Sequence, residues 1–100
     1  MKDYDIRDIS LAPSGHRKIE WVKNNMPLLS ALEEEFRKDK PFDGMKISLS
    51  VHLEAKTAYL CLVLAEGGAQ MSVTGSNSLS TQDDVAAALA DRGLKVFAYH

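Results

Sequence analysis

The chain has 100 residues, and 12 Lys and Arg against 14 Asp and Glu leave a formal net charge of −2. Hydrophobic residues at 45% and charged residues at 26% describe a globular domain, and the slightly acidic balance argues against a nucleic-acid partner, which selects a basic stripe. No apolar run approaches the ~18–20 residues of a membrane span, the opening MKDYDIRDIS lacks a secretory apolar stretch, and the lone Cys61 excludes an internal disulfide or a Cys-based zinc cluster.

A reducing, cytoplasmic setting is therefore expected, with no membrane partner and no metal. From Arg7 to Arg37 the pattern is helical. Ile19, Val22, Met26, Leu29, Leu32 and Phe36 recur at three- or four-residue steps and make one apolar stripe. Ser10 is placed to cap the start, Pro13 and Gly15 make that start irregular, and Pro27 kinks or splits the helix because it cannot donate to the preceding turn. Trp21 is expected in the core or at an interface, Glu33-Glu34-Glu35 reads as a solvated face, and His16 is given no role. Lys38 to Gly44 is a loop, marked by Lys-Pro and Asp-Gly.

The period then changes. Met45 to Val51 alternates, with Ile47, Leu49 and Val51 on one side, which predicts a strand. Glu54 to Glu66 predicts a helix with Ala55, Ala58, Tyr59, Leu62 and Ala65 on one face and Cys61 packed inside; Gly67-Gly68 ends it. Met71 to Gly75 is a second strand. Ser80-Thr81-Gln82-Asp83 resembles a capping box in which Ser80 caps the next helix and Asp83 is its third residue. That Ala-rich helix runs to Arg92, Gly93 stops it, and Leu94 to Tyr99 is a third strand.

The fold class is α/β: a helical segment over 1–44, then a parallel β-α-β-α-β unit over 45–100 with right-handed crossovers. Three strands make half of a Rossmann-like (flavodoxin-like) sheet, so the chain reads as a fragment of a larger domain. The edge after Leu94–Tyr99 is open, which predicts self-association or pairing.

Ligands of open α/β sheets bind beyond the carboxyl ends of the strands. His52 to Thr57 follows the first strand and Ser76 to Asp83 the second; both are rich in hydrogen-bonding residues and both precede a helix N-terminus, where free N–H groups favour polar or anionic atoms. His52 at such a point reads either as a neutral imidazole acting as a base or as a cap or packed loop histidine. Glu54 either reads a ligand hydroxyl or favours the first helical turn, and Lys56 and Thr57 stay open. His52-Leu53-Glu54 lacks the later paired cysteines a zinc deaminase needs. Gly67-Gly68-Ala69 follows a helix, so it is no phosphate loop, and no G-x-G-x-x-G occurs.

The stretches Ser50-Val51-His52-Leu53-Glu54-Ala55-Lys56-Thr57-Ala58 and Ser76-Asn77-Ser78-Leu79-Ser80-Thr81-Gln82-Asp83 resemble the two N-terminal signatures of the S-adenosylhomocysteine hydrolase family. Asp8-Ile9-Ser10-Leu11-Ala12 and Asn25-Met26-Pro27 resemble its opening helix. The resemblance implies reversible hydrolysis of S-adenosylhomocysteine to adenosine and homocysteine with tightly held NAD, which oxidises the ribose 3′-hydroxyl so that the C4′ proton becomes acidic and the thiol leaves C5′. It implies that His52 moves protons near C5′, that Glu54, Lys56 and Thr57 line the ribose and purine, and that Asn77, Ser80, Gln82 and Asp83 shape the same pocket, Asp83 holding the loop. It also implies a homo-oligomer, tetrameric in the parent enzyme, and a nucleoside-type substrate.

Two departures matter. Many members have threonine where Glu54 stands and glutamate where Lys56 stands. A lysine donates only, so it suits a carbonyl on the base, as in the inosyl analogue; a charged hydrogen bond is worth roughly 1.5–3 kcal/mol. Lys56 pointing away, toward Glu54 or solvent, is the other reading. The family's NAD-binding domain has no counterpart within these residues, so the chain alone is expected to be inactive. The alternative is a standalone, non-enzymatic α/β unit that self-associates or binds nucleoside weakly.

Overall fold

The computed structural model describes residues 4–76 and 81–98. Four strands form one parallel sheet: β1 (Tyr4–Ile6), β2 (Lys46–Val51), β3 (Gln70–Gly75) and β4 (Lys95–Ala98), in the order β1-β4-β3-β2. A 3-10 turn (Ile9–Leu11) leads into α1 (Ala12–Asn24), followed by α2 (Pro27–Asp39), α3 (Ala55–Glu66) and α4 (Asp83–Asp91). Among the described residues no helix is long and apolar enough to cross a membrane.

Strand β1 is the first correction to the sequence reading. Tyr4 pairs with Val96 and Ile6 with Ala98, so β4 is an interior strand and not the open edge expected after Leu94–Tyr99. Three residues carry one period of alternation, too short to stand out from a charged terminus. The prediction of self-association at that edge falls with it. Tyr99 lies outside the described residues.

Both crossovers, β2-α3-β3 and β3-α4-β4, step the same way across the sheet, so α3 and α4 share one face. That face carries Met71, Val73, Val96 and Ala98, all buried, with Ile47, Leu49 and Val51 packed against them. Lys46, Ser48, Ser50, Gln70, Thr74, Lys95 and Phe97 alternate onto the other, exposed face. Helices α1 and α2 form a second layer over α3 and α4. Sandwiched in this way, α3 buries Ala58, Tyr59, Cys61, Leu62 and Val63 around most of its girth, not along a single stripe.

Prolines set the helix starts. Pro27 splits the long helical pattern, because its ring bars Met26 from the helical region (φ −131°, ψ 72°). Pro13 sits in the first turn of α1, where its missing N–H costs nothing. Ser10 is not the cap: Asp8 caps the 3-10 turn, accepting from the Ser10 N–H at 2.9 Å, and α1 itself starts after Leu11 with no side-chain cap. Gly15 is no irregularity either, but the residue that lets α1 lie against α4. Gly68 (φ 98°) and Gly93 (φ 91°) take the left-handed turns after α3 and α4 that a side chain would resist.

Glu33 was expected on a solvated face. It is 6% exposed, accepts from the Tyr59 hydroxyl at 2.9 Å, and lies 3.6 Å from Lys23 and 3.5 Å from Arg37. The buried phenol brings a partner that local pattern cannot announce. Burial pushes the Tyr59 hydroxyl above its usual range and the Glu33 contact adds to this, against the opposing Ser30 hydrogen bond. Cys61 is a packing residue as expected, its thiol pushed up to about 11 by burial.

Candidate functional site

Strands β2 and β3 end side by side, Val51 in register with Gly75. Ser76 N–H donates to the Val51 carbonyl at 2.8 Å, and Gln82 N–H to the Leu53 carbonyl at 2.9 Å. The two loops that carry the candidate residues are thereby stitched together. Leu53 and Thr81 point inward and are buried. Beside Thr81, a side chain at Gly75 would meet its hydroxyl at 2.6 Å, so that strand end admits only glycine without rearrangement.

The turn from β2 into α3 is held by its own polar side chains. Glu54 is the N-cap: its carboxylate accepts from Thr57 N–H at 3.0 Å, while Glu54 N–H donates to the Thr57 hydroxyl oxygen at 3.1 Å. The Thr57 hydroxyl donates to the His52 carbonyl at 2.7 Å. Glu54 and Thr57 therefore build the helix start whatever else they do. This leaves the second Glu54 carboxylate oxygen for a ligand. His52 is exposed, two residues ahead of that cap, with its main chain fixed by Thr57.

The start of α4 differs from the expected capping box. The helix begins at Asp83, the cap position falls on Gln82, and no side chain bonds there as a cap. Ser80 and Asn77 lie outside the described residues. Asp83 approaches Arg7 at 3.5 Å, tying the chain after β1 to the start of α4. Asp84 is the anchor: Lys18 reaches it at 2.8 Å, Ser14 donates to it at 2.7 Å, and it accepts from Val85 N–H at 2.9 Å. Burial alone would raise the Asp84 carboxyl; the Lys18 and Ser14 hydrogen bonds outweigh it and hold the group below the ordinary carboxylate range.

Helix α1 crosses the gap between these two helix starts and walls one side of an open hollow of about 320 Å³. Its wall is Lys18 and Trp21 from α1 with buried Val22 behind them, facing Glu54, Lys56 and Gln82. Among the described candidates, Glu54, Lys56 and Gln82 thus meet in one space; His52, Thr57 and Asp83 do not line it. Lys56 makes no ion pair among the described residues, so the pairing with Glu54 left open above is not formed. A larger hollow of about 490 Å³, touching Lys46, Gln70 and Lys95, sits at the amino ends of β2, β3 and β4. That is the wrong end of a parallel sheet for its ligand.

Several contributors were not singled out by the sequence reading. Trp21, expected in the core or at an interface, is 64% exposed. A signal existed, since it falls off the Ile19–Val22–Met26 stripe. Lys18 and Asp84 meet across 66 positions of chain, and Arg7 and Asp83 across 76; no local pattern marks such pairs. His16, given no role, joins α1 to Asp91 of α4 at 2.7 Å.

Comparison with known proteins matches residues 3–100 to the family described as S-adenosyl-L-homocysteine hydrolase. A protein of Methanococcus maripaludis named S-inosyl-L-homocysteine hydrolase is 56% identical over 95% of this chain. One of Methanocaldococcus jannaschii with the same name is 53% identical over 96% of it. An adenosylhomocysteinase of Thermococcus kodakarensis is 55% identical over 97%. In each case the chain spans about 23% of the relative's length.

Proposed function

Because the chain belongs to the S-adenosyl-L-homocysteine hydrolase family, we propose that it forms the N-terminal part of the substrate-binding domain of an NAD-dependent enzyme. That enzyme reversibly hydrolyses an S-nucleosyl-L-homocysteine to nucleoside and homocysteine. The observation that carries this reading is the meeting of Glu54, Lys56 and Gln82 in one hollow beyond the carboxyl ends of the strands.

Each residue has a task in this proposal. His52, exposed beside the hollow's rim loop, moves a proton on the C5′ side. Glu54, with one carboxylate oxygen held by the helix cap, offers the other to a ribose hydroxyl. Thr57 fixes the loop through the His52 carbonyl. Asp83 holds its own loop through Arg7. Asn77 and Ser80 join the pocket on the resemblance alone, as do the oligomer and the cytoplasmic location.

NAD does not fit the described residues. Its pyrophosphate needs a Gly-rich turn between strand and helix. The two helix starts at the carboxyl ends of β2 and β3 carry no such turn: Glu54 occupies its own N-cap, and α4 opens on Asp83 and Asp84. We therefore assign the cofactor to the remainder of the full-length protein.

The base is selected at Lys56. Its ammonium donates only, which matches the carbonyl of hypoxanthine and leaves the exocyclic amine of adenine facing another donor. Relatives of both names match at 56% and 55%, so overall identity does not decide between them. The test is steady-state turnover of the inosyl and adenosyl substrates by the full-length protein. Lys56→Glu should move the kcat/KM ratio toward the adenosyl substrate about tenfold or more, from a charged hydrogen bond of roughly 1.5–3 kcal/mol. An unchanged ratio refutes base selection by Lys56, and no turnover of either substrate refutes the proposed activity.

A further inference from the structure

Trp21 stands out as a large aromatic side chain that the described residues leave uncovered. Its neighbours on α1, Ile19 and Val22, are 2% and 3% exposed, whereas the indole is 64% exposed. It is the chain's single tryptophan. Its helix is not loose: Lys18, one turn away, is tied to Asp84 at 2.8 Å, and Ser14 to the same carboxylate at 2.7 Å. The indole is thus carried on an anchored element, beside Lys56 and Gln82.

We infer that Trp21 is the stacking platform for the base of the ligand. This inference rests on the function proposed above and deepens it. A flat aromatic wall facing side chains with hydrogen-bond donors is what recognises a nucleobase: the π-face takes the ring and the donors take its edge. Gln82 strengthens the case, because Lys18 Nζ already holds its amide oxygen at 3.4 Å and leaves the amide N–H groups for a ligand. Lys56 and Gln82 therefore both present donors, so the hollow favours a purine edge bearing a carbonyl oxygen and a ring nitrogen. The hollow's about 320 Å³ is the size of a small-molecule site. A protein partner covering Trp21 would bury Lys18 and the Glu54 carboxylate along with it, whereas a base covers the indole, takes the Lys56 ammonium at its edge and leaves the other two charges at the rim.

The experiment uses the full-length protein with Trp21→Ala and Trp21→Phe. It compares KM for the S-nucleosyl substrate with the inhibition constants of the free nucleoside and of S-ribosyl-L-homocysteine, which lacks the base. Stacking predicts that Trp21→Ala raises KM and the nucleoside constant about tenfold, with the effect on KM and not on kcat. S-ribosyl-L-homocysteine should bind as before, and Trp21→Phe should recover most of the loss. An equal rise for the base-less ligand would mean a structural wall and overturn the inference. So would unchanged constants for every ligand, which would leave the indole to a protein partner. Wild-type protein with no turnover overturns the proposed function and this inference together, whereas turnover with an indifferent Trp21 overturns the stacking role alone.

Discussion

Replacing Gly15 by alanine tests the packing on which the candidate site depends. A Cβ at Gly15 overlaps the Asp84 carbonyl oxygen, comes within 2.6 Å of its carbonyl carbon, and lies 2.8 Å from the Ala88 Cβ. Backbone cannot swing aside as a side chain can, so α1 must lift from α4. Overpacking of this kind costs about 1–3 kcal/mol, and a backbone obstacle puts it in the upper half of that range. The better helix propensity of alanine returns about 1 kcal/mol. The net loss is about 1–2 kcal/mol, and at roughly 4–8 °C per kcal/mol for a domain of this size the Tm falls by some 4–16 °C. Thermal and urea unfolding followed by circular dichroism read it directly. A Gly15→Ala variant with a raised Tm, the ordinary result for a helical glycine facing open space, would refute the α1–α4 contact. It would also remove the wall on which Lys18 and Trp21 stand.

Two further outcomes follow from a buried and a half-buried carboxylate. Tyr59→Phe deletes the hydroxyl that donates to buried Glu33; a hydrogen bond to a charged group predicts a loss of about 2 kcal/mol in urea unfolding, and a change under about 0.5 kcal/mol would show that Lys23 and Arg37 satisfy the carboxylate unaided. Asp84 titrates below its ordinary range when folded, so the unfolded chain binds the extra proton first. Its stabilisation is complete above the ordinary carboxylate pKa and fades as pH falls through the lowered folded value. Lys18→Met should flatten stability against pH in that acid window, and an unaltered slope would count against the ion pair.

What the sequence disclosed and what it withheld divide along a physical line. Periodicity named the helical stretch around Ile19, Val22 and Met26 and the helix of α3, whereas α4 was read from its Ala-rich run and the stop at Gly93. It named β2 and β3 because alternation ran through five or six residues. It missed β1, where Tyr4-Asp5-Ile6 carries too little pattern to distinguish. The cap of α4 was misplaced because Ser80-Thr81-Gln82-Asp83 satisfies a capping pattern two residues early, whereas Gln82 is still extended (φ −99°, ψ 112°) and the helix begins at Asp83. Both halves of the Glu54–Thr57 cap lie within four residues, yet the sequence reading left Thr57 open and counted Glu54 as the first helical residue when it is the cap before Ala55. The hollow was not: its walls come from positions 18, 21, 56 and 82, and only the α1–α4 packing brings these together.

That packing gives the N-terminal helix a part in the site that its sequence does not advertise. Same-direction crossovers necessarily leave the starts of α3 and α4 side by side at the carboxyl edge of the sheet. Two adjacent helix starts alone would make an open notch, wetted from above. Helix α1 turns the notch into a walled hollow, and it can do so only because Gly15 and the alanines of α4 permit close approach while Lys18 and Ser14 fix its rotation through Asp84. The same lysine that clamps the helix also occupies the Gln82 oxygen. The position, the α1 wall and the donor character of the hollow therefore share one anchoring carboxylate. A change at Asp84 should then disturb ligand affinity and stability together, whereas a change at Trp21 or Lys56 should disturb affinity alone.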